Sequence, residues 1–113
     1  MDAITAAVML KALDGLSARQ TATAQNIANA GTPNYQPVRV SFEEALKAAG
    51  RDVQAIDAVQ PKVEPQGPSL LGPELRLDLE LAIAASTAGR YGTVIELLGR
   101  QMQLQAIAIS GGR

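Results

Sequence analysis

The chain has 113 residues, a net charge of −1 and a pI near 5.3, with neither cysteine nor histidine. That length bounds it to one domain plus an arm at most, and the missing residue types exclude disulfides, the common zinc sites and Cys-His or Ser-His-Asp catalysis. The charge balance, with no basic cluster, argues against nucleic acid as a partner.

Hydropathy and aromatic content narrow the class further. No unbroken apolar run is longer than that of Leu81 to Ala85, far too short to span a bilayer. The start, Met1-Asp2-Ala3, lacks the basic segment and cleavage site of a secretory signal. A cytoplasmic protein and one exported without cleavage fit equally. The only aromatics are Tyr35, Phe42 and Tyr91, which disfavours a bulky globular core. All six prolines fall between Pro33 and Pro73, so a proline-punctuated middle separates two proline-free ends.

Residues 3 to 30 read as one helix. Met9, Leu13, Leu16, Gln20, Thr23, Ile27 and Ala30 recur at four-three spacing, a heptad stripe polar at its centre. Gly15 weakens this helix by about 1 kcal/mol relative to alanine. The stretch Asn26 to Gln36, NIANAGTPNYQ, then turns the chain. Gly31 suits a position of positive φ just past the helix end. Thr32 is pushed from helical geometry by Pro33, and Pro33-Asn34 forms the centre of a tight turn with Asn34 in the left-handed region. Asn26 and Asn29 offer side chains to local backbone groups, and Tyr35 stands near the corner.

In residues 31–74 the pattern is mixed. Val38, Val40 and Phe42 alternate as in a brief extended run. Ser41 to Glu44 has the spacing of a capping box, which predicts a short helix over 42–49 with Phe42 and Leu46 on one face and Gly50 as its stop. Residues 51–72 show no sustained period and read as an extended arm, with a strand near 53–59 as the minor alternative.

The second long helix, about 75–109, has the clearest period. Leu81, Ala84, Ala88, Tyr91, Ile95, Leu98, Met102, Gln105 and Ile109 step by three and four, and eight of the nine are apolar. Asp78 and Glu80 lie in its first turns, where the helix dipole favours acidic groups. Gly89, Gly92 and Gly99 are poor helix formers that suit either close backbone approach or harmless surface positions.

The fold expected is mainly α. The helices within 1–30 and 75–113 pair as an antiparallel coiled coil, joined by a proline-rich irregular middle with one short helix. The pairing stripe is Leu13, Leu16 and Ile27 against Leu81, Ala88, Tyr91, Ile95, Leu98 and Met102. One stripe each leaves the other faces to solvent, yet those faces are poor in charge. Residues 1–30 carry only Asp2, Lys11, Asp14 and Arg19, and residues 81–109 only Arg90, Glu96 and Arg100. Such faces suit contact with further helices, so the helices are expected to complete their order on assembly.

No chemistry is legible. Glu43-Glu44 and Asp78/Glu80 are the closest acidic pairs, and adjacent or two-apart residues on a helix do not face one another. No phosphate-cradling glycine motif appears, and no cofactor, metal or small-molecule substrate is expected. A soluble helical adaptor or chaperone is the alternative class, but it would need a more charged exterior.

NIANAGTPNYQ, preceded by Leu13-Asp14 and Arg19-Gln20, resembles the N-terminal signature of the bacterial flagellar rod and hook axial proteins. The continuation Val38 to Leu46 and the segment Leu77-Asp78-Leu79-Glu80 followed by Arg90-Tyr91 are similar to the proximal-rod, FlgB-type branch of that family. The resemblance covers about residues 9–49 and 75–109. Asn34 stands where the family has glycine and Gln36 where it has a basic residue, and Gly72-Pro73-Glu74 replaces a Gly-Asn pair.

The resemblance implies a structural subunit of the flagellar basal-body rod. Such a subunit is exported uncleaved by the flagellar type III apparatus, polymerises helically in the periplasm and transmits torque. It implies partners among copies of the chain, other rod proteins, a membrane-ring adaptor and the export apparatus. It also implies that Asn26, Asn29, Gly31, Thr32, Pro33, Asn34 and Tyr35 form an assembly corner.

Overall fold

A computed structural model describes residues 2–67 and 70–111. It is mainly helical and elongated, 63 × 25 × 16 Å. The elements in order are α1 (Ala3–Ala28), β1 (Val38–Ser41), α2 (Glu43–Ala49), α3 (Val53–Asp57), β2 (Lys62–Pro65) and α4 (Pro73–Gly111). At 39 residues α4 is about 58 Å long and sets the length of the molecule. Among the described residues, no helix is long and apolar enough to cross a membrane.

Local chemistry sets the helix ends. The Asp2 carboxylate accepts the Thr5 amide at 2.6 Å and caps α1. Its C-cap is Asn29, whose amide and side-chain nitrogen both donate to the Gln25 carbonyl. Gly31 does not take positive φ; that role falls to Asn34, at φ 63°, in a turn closed by the Tyr35 amide on the Thr32 carbonyl. Gly50, also at φ 63°, stops α2 as expected. Pro73 opens α4 at the one helical position where its missing N–H costs nothing.

The expected capping box does not form. Ser41 is the last residue of β1, paired with Lys62, and Phe42 becomes the N-cap without a side-chain cap bond. Glu43 rather than Glu44 turns back, accepting the Phe42 amide at 3.3 Å.

The middle is also more ordered than an extended arm. Asp52 caps α3 through the Gln54 and Ala55 amides at 3.0 and 3.4 Å, and Ile56 of that helix is completely buried. β2 pairs antiparallel with β1, Val40 opposite Val63 and Arg39 opposite Glu64. Residues 68 and 69 of the expected arm lie outside the described residues.

The core gathers Leu16 and Ala22 of α1, Val40 of β1 and Phe42, with Leu46 and Val94 packed against it. Gly15 is part of this core, because the Phe42 ring lies where its Cβ would stand. Among the described residues, no atom of another element lies within 4 Å of where a Cβ would stand at Gly89, Gly92 or Gly99.

α1 packs along α4, but not on the face that the apolar period marks. Glu80 and Thr87 are the buried residues of α4, and Ile83, Ala84, Val94 and Leu98 are half-buried. Leu81, Ala88, Tyr91, Ile95 and Met102, expected in the seam, are exposed. On α1 the expectation fares better, with Leu16 and Thr23 buried and Leu13 and Ile27 half-buried, although Gln20 is exposed. The offset has a polar cause. Asn26 reaches Glu80 and Arg39 pairs with it, and these bonds rotate α4 so that Glu80 faces inward. Glu80 therefore sits two turns inside α4 and does not serve the helix dipole.

Candidate functional site

The corner is built around Asn26, which is only 2% exposed. Its side-chain oxygen accepts the Val38 amide and the Tyr35 hydroxyl, both at 3.0 Å. Its nitrogen donates to the Val38 carbonyl at 2.9 Å and to Glu80 Oε2 at 3.1 Å. All the hydrogen-bonding capacity of one amide is thus used to tie α1 to the turn, to β1 and to α4. Glu80, 4% exposed, is held from the other side by Arg39 at 2.6 Å. Among the described residues, no buried side-chain nitrogen or oxygen lacks a partner. A low-dielectric network satisfied in this way fixes one geometry.

Of the other corner residues, Asn29 accepts the Thr32 hydroxyl at 3.1 Å. Tyr35 lies half-buried against Asn26, whereas Gly31, Thr32, Pro33 and Asn34 are exposed. The corner therefore has an inner half committed to the fold and an outer half facing away from it.

A second clamp lies one and a half to two turns back along α1. The Arg19 guanidinium binds both Glu43 oxygens at 2.8 and 2.6 Å and the Val40 carbonyl at 2.8 Å, and lies 5.0 Å from the centroid of the Phe42 ring. Arg90 of α4 approaches the same carboxylate at 3.6 Å. The hydrogen bonds from Arg19 hold the Glu43 carboxyl well below its ordinary value of 4.5, at about 2.

A carboxyl whose pKa falls on folding contributes stability above its unfolded pKa, and that contribution is lost as pH falls through the folded value. Stability should therefore decline between pH 4.5 and about 2. The side chain is 47% exposed, so screening limits the effect to below about 1 kcal/mol. Glu43→Gln should flatten the curve across that window, as read from urea midpoints at a series of pH values. An unchanged slope in the variant would remove Glu43 from the account.

Reading the sequence for chemistry missed Arg19, Arg39, Glu43 and Glu80 as a structural set. One signal was available: charge is scarce on α1, and a lone arginine on the stripe side of a long helix needs an acidic partner. The set has no nucleophile or proton-transfer pair. Among the described residues, no cluster of acidic side chains converges as a metal site would require. What the arrangement does is mechanical, locking the corner, β1 and the start of α2 onto the two long helices. No protein-family model matches the chain, and no curated protein matches it either.

Proposed function

We propose that the chain is a structural subunit of the bacterial flagellar basal-body rod, of the proximal-rod type. In this reading it polymerises helically with copies of itself and other axial proteins, and it carries torque rather than catalysing a reaction. The observation that supports the reading most is the uncovered face of α4. Leu81, Ala88, Ile95, Met102 and Ile109 recur every seven residues along this helix and are all exposed. A seven-residue apolar repeat is the pattern of a helix that packs along another helix. Among the described residues, α1 packs on a different face and leaves this repeat exposed. An apolar strip this long is a recognition surface and a liability for a solitary protein.

In the same reading α1 and α4 form an antiparallel pair. The contacts are consistent with this: Asn26 meets Glu80, Thr23 lies with Ile83 and Thr87, and Leu16 lies with Val94, so one number falls as the other rises. The clamps at Asn26 and Arg19 suit a subunit under load, because they join every long element by charged or fully satisfied polar bonds. The exposed half of the corner, Gly31 to Asn34, is the surface offered to neighbouring subunits. Export without cleavage to the periplasm, and contact with a membrane-ring adaptor and the export apparatus, belong to the same proposal.

Deleting residues 29–35 from the chromosomal copy should abolish swimming and leave basal bodies without a complete rod by electron microscopy. Normal swimming with intact rods would overturn the proposal. A fixed small oligomer in sedimentation, with no longer assemblies, would favour the adaptor class instead.

A further inference from the structure

The ribbon of β1 and β2 has one covered edge and one open edge. On the covered side, the Asn26 side chain takes both the amide and the carbonyl of Val38, and Arg19 binds the Val40 carbonyl. Val38 and Val40 therefore turn these groups to α1. The alternation of an antiparallel ladder then turns Pro37, Arg39 and Ser41 to β2. The Gln66 amide on the Pro37 carbonyl, at 2.8 Å, marks the same register. Across the ribbon Glu64 faces Arg39 and Lys62 faces Ser41, so Lys62, Glu64 and Gln66 direct their backbone groups at β1. Val63 and Pro65 turn the other way, and Pro61, which leads into β2, holds the next outward place.

The open edge thus reads proline, valine, proline. β2 is exposed along its whole length, and Val63 has 57% of its surface in water. An exposed edge is a ready template for another strand. Here only the Val63 amide is left to donate, because Pro61 and Pro65 have no N–H.

The same edge on a second copy shows what those prolines prevent. An antiparallel pairing centred on Val63 sets Val63 against Val63 and position 61 against position 65. Lys62, which already pairs with Glu64 at 2.9 Å, would stand opposite Glu64 of the second copy, so charge does not forbid the contact. The pairing has three bonded positions with two bonds at each, six in all. Four of the six need an N–H at position 61 or 65, where the chain has proline.

We propose that Pro61 and Pro65 act together as a block on sheet growth, keeping β2 of one copy from pairing with β2 of another. One proline would simply end a strand. Two of them, at the outward places on either side of one valine, strip every flanking donor from the edge. They do so without loss to the ribbon, since neither position turns its nitrogen to β1. The block does not depend on the rod reading and stands whether or not α4 brings copies together.

Pro61→Thr/Pro65→Thr restores both donors with a residue that favours strands. In this variant, shown to be folded by circular dichroism, the Val63 amide should exchange its hydrogen several-fold more slowly than in the parent. The slowing should increase with concentration, and the infrared band of intermolecular antiparallel sheet should grow with it. Pro73→Thr, which removes a proline at the start of α4, should match the parent in both. A Val63 amide as fast as in the parent, with no sheet band at any concentration, would overturn the proposal and leave the prolines as plain strand ends. If the double variant does not fold, the two single variants decide, since each restores two of the four missing bonds. Slowing at Val63 in either would support the block, and none in both would overturn it.

Discussion

Replacing Asn26 with leucine should destabilise the chain by about 3–5 kcal/mol, the largest effect expected of any single side chain. The substitution strands the Val38 amide, leaves the Val38 carbonyl with only the longer bond from Arg39 at 3.3 Å, and removes the partner of the Tyr35 hydroxyl. It also takes from buried Glu80 one of its two stabilising contacts, leaving Arg39 alone to hold that carboxylate. Each group left without its partner costs up to about 1–3 kcal/mol, the full amount where it is buried, as Glu80 is.

Asn26→Asp is a sharper probe because it keeps the accepting oxygen. It sets a carboxylate at the 3.1 Å contact with Glu80, where two negative charges cannot both persist. One carboxyl must then take up a proton in the folded state, at a pKa raised above its unfolded value. The aspartate variant should therefore recover stability relative to the parent as pH falls from neutrality. Urea unfolding followed at several pH values reads both effects. An Asn26→Leu variant within about 1 kcal/mol of the parent would show that the network does not hold the corner.

Gly15→Ala should destabilise by about 1–3 kcal/mol, against the gain of about 1 kcal/mol that helix propensity alone assigns to the same change. The added methyl would overlap the Phe42 ring near its root, where the ring has least freedom to swing aside. Phe42 cannot retreat easily, since it is buried against Leu16 and Val40 and carries Arg19 over its face. In a Phe42→Leu background the smaller side chain should remove most of the penalty, so the two changes should couple strongly in a double-mutant cycle. Thermal melts of the four proteins measure that coupling. A stabilising Gly15→Ala would place the Phe42 ring elsewhere.

These two sites also show what the sequence could and could not reveal. The long helices, the stop at Gly50 and the left-handed Asn34 follow from period and turn chemistry, which are local. The mating face of α4 does not. The apolar period marks Leu81, Ala88, Ile95 and Met102, whereas α1 covers Glu80 and Thr87. A hydrophobic pattern finds the face that water disfavours most, and here that face is not the one turned inward. Asn26 and Arg39 select the inward face by hydrogen bonding and charge, through partners 54 and 41 residues away in sequence.

Gly15 was hidden for the same reason, because only the arrival of Phe42 from β1 explains it. α3 and β2 are too short for a period of their own. The one local sign of α3 was Asp52, an N-cap before an apolar pair.

In the rod reading, two long helices make only part of a bundle, and neighbouring chains complete it. Sedimentation velocity of the purified chain, run from dilute to concentrated, tests this most directly. A monomer when dilute that grows continuously into long species as concentration rises is the predicted result. A single small species, unchanged across the whole range and melting cooperatively with full helicity, would contradict it.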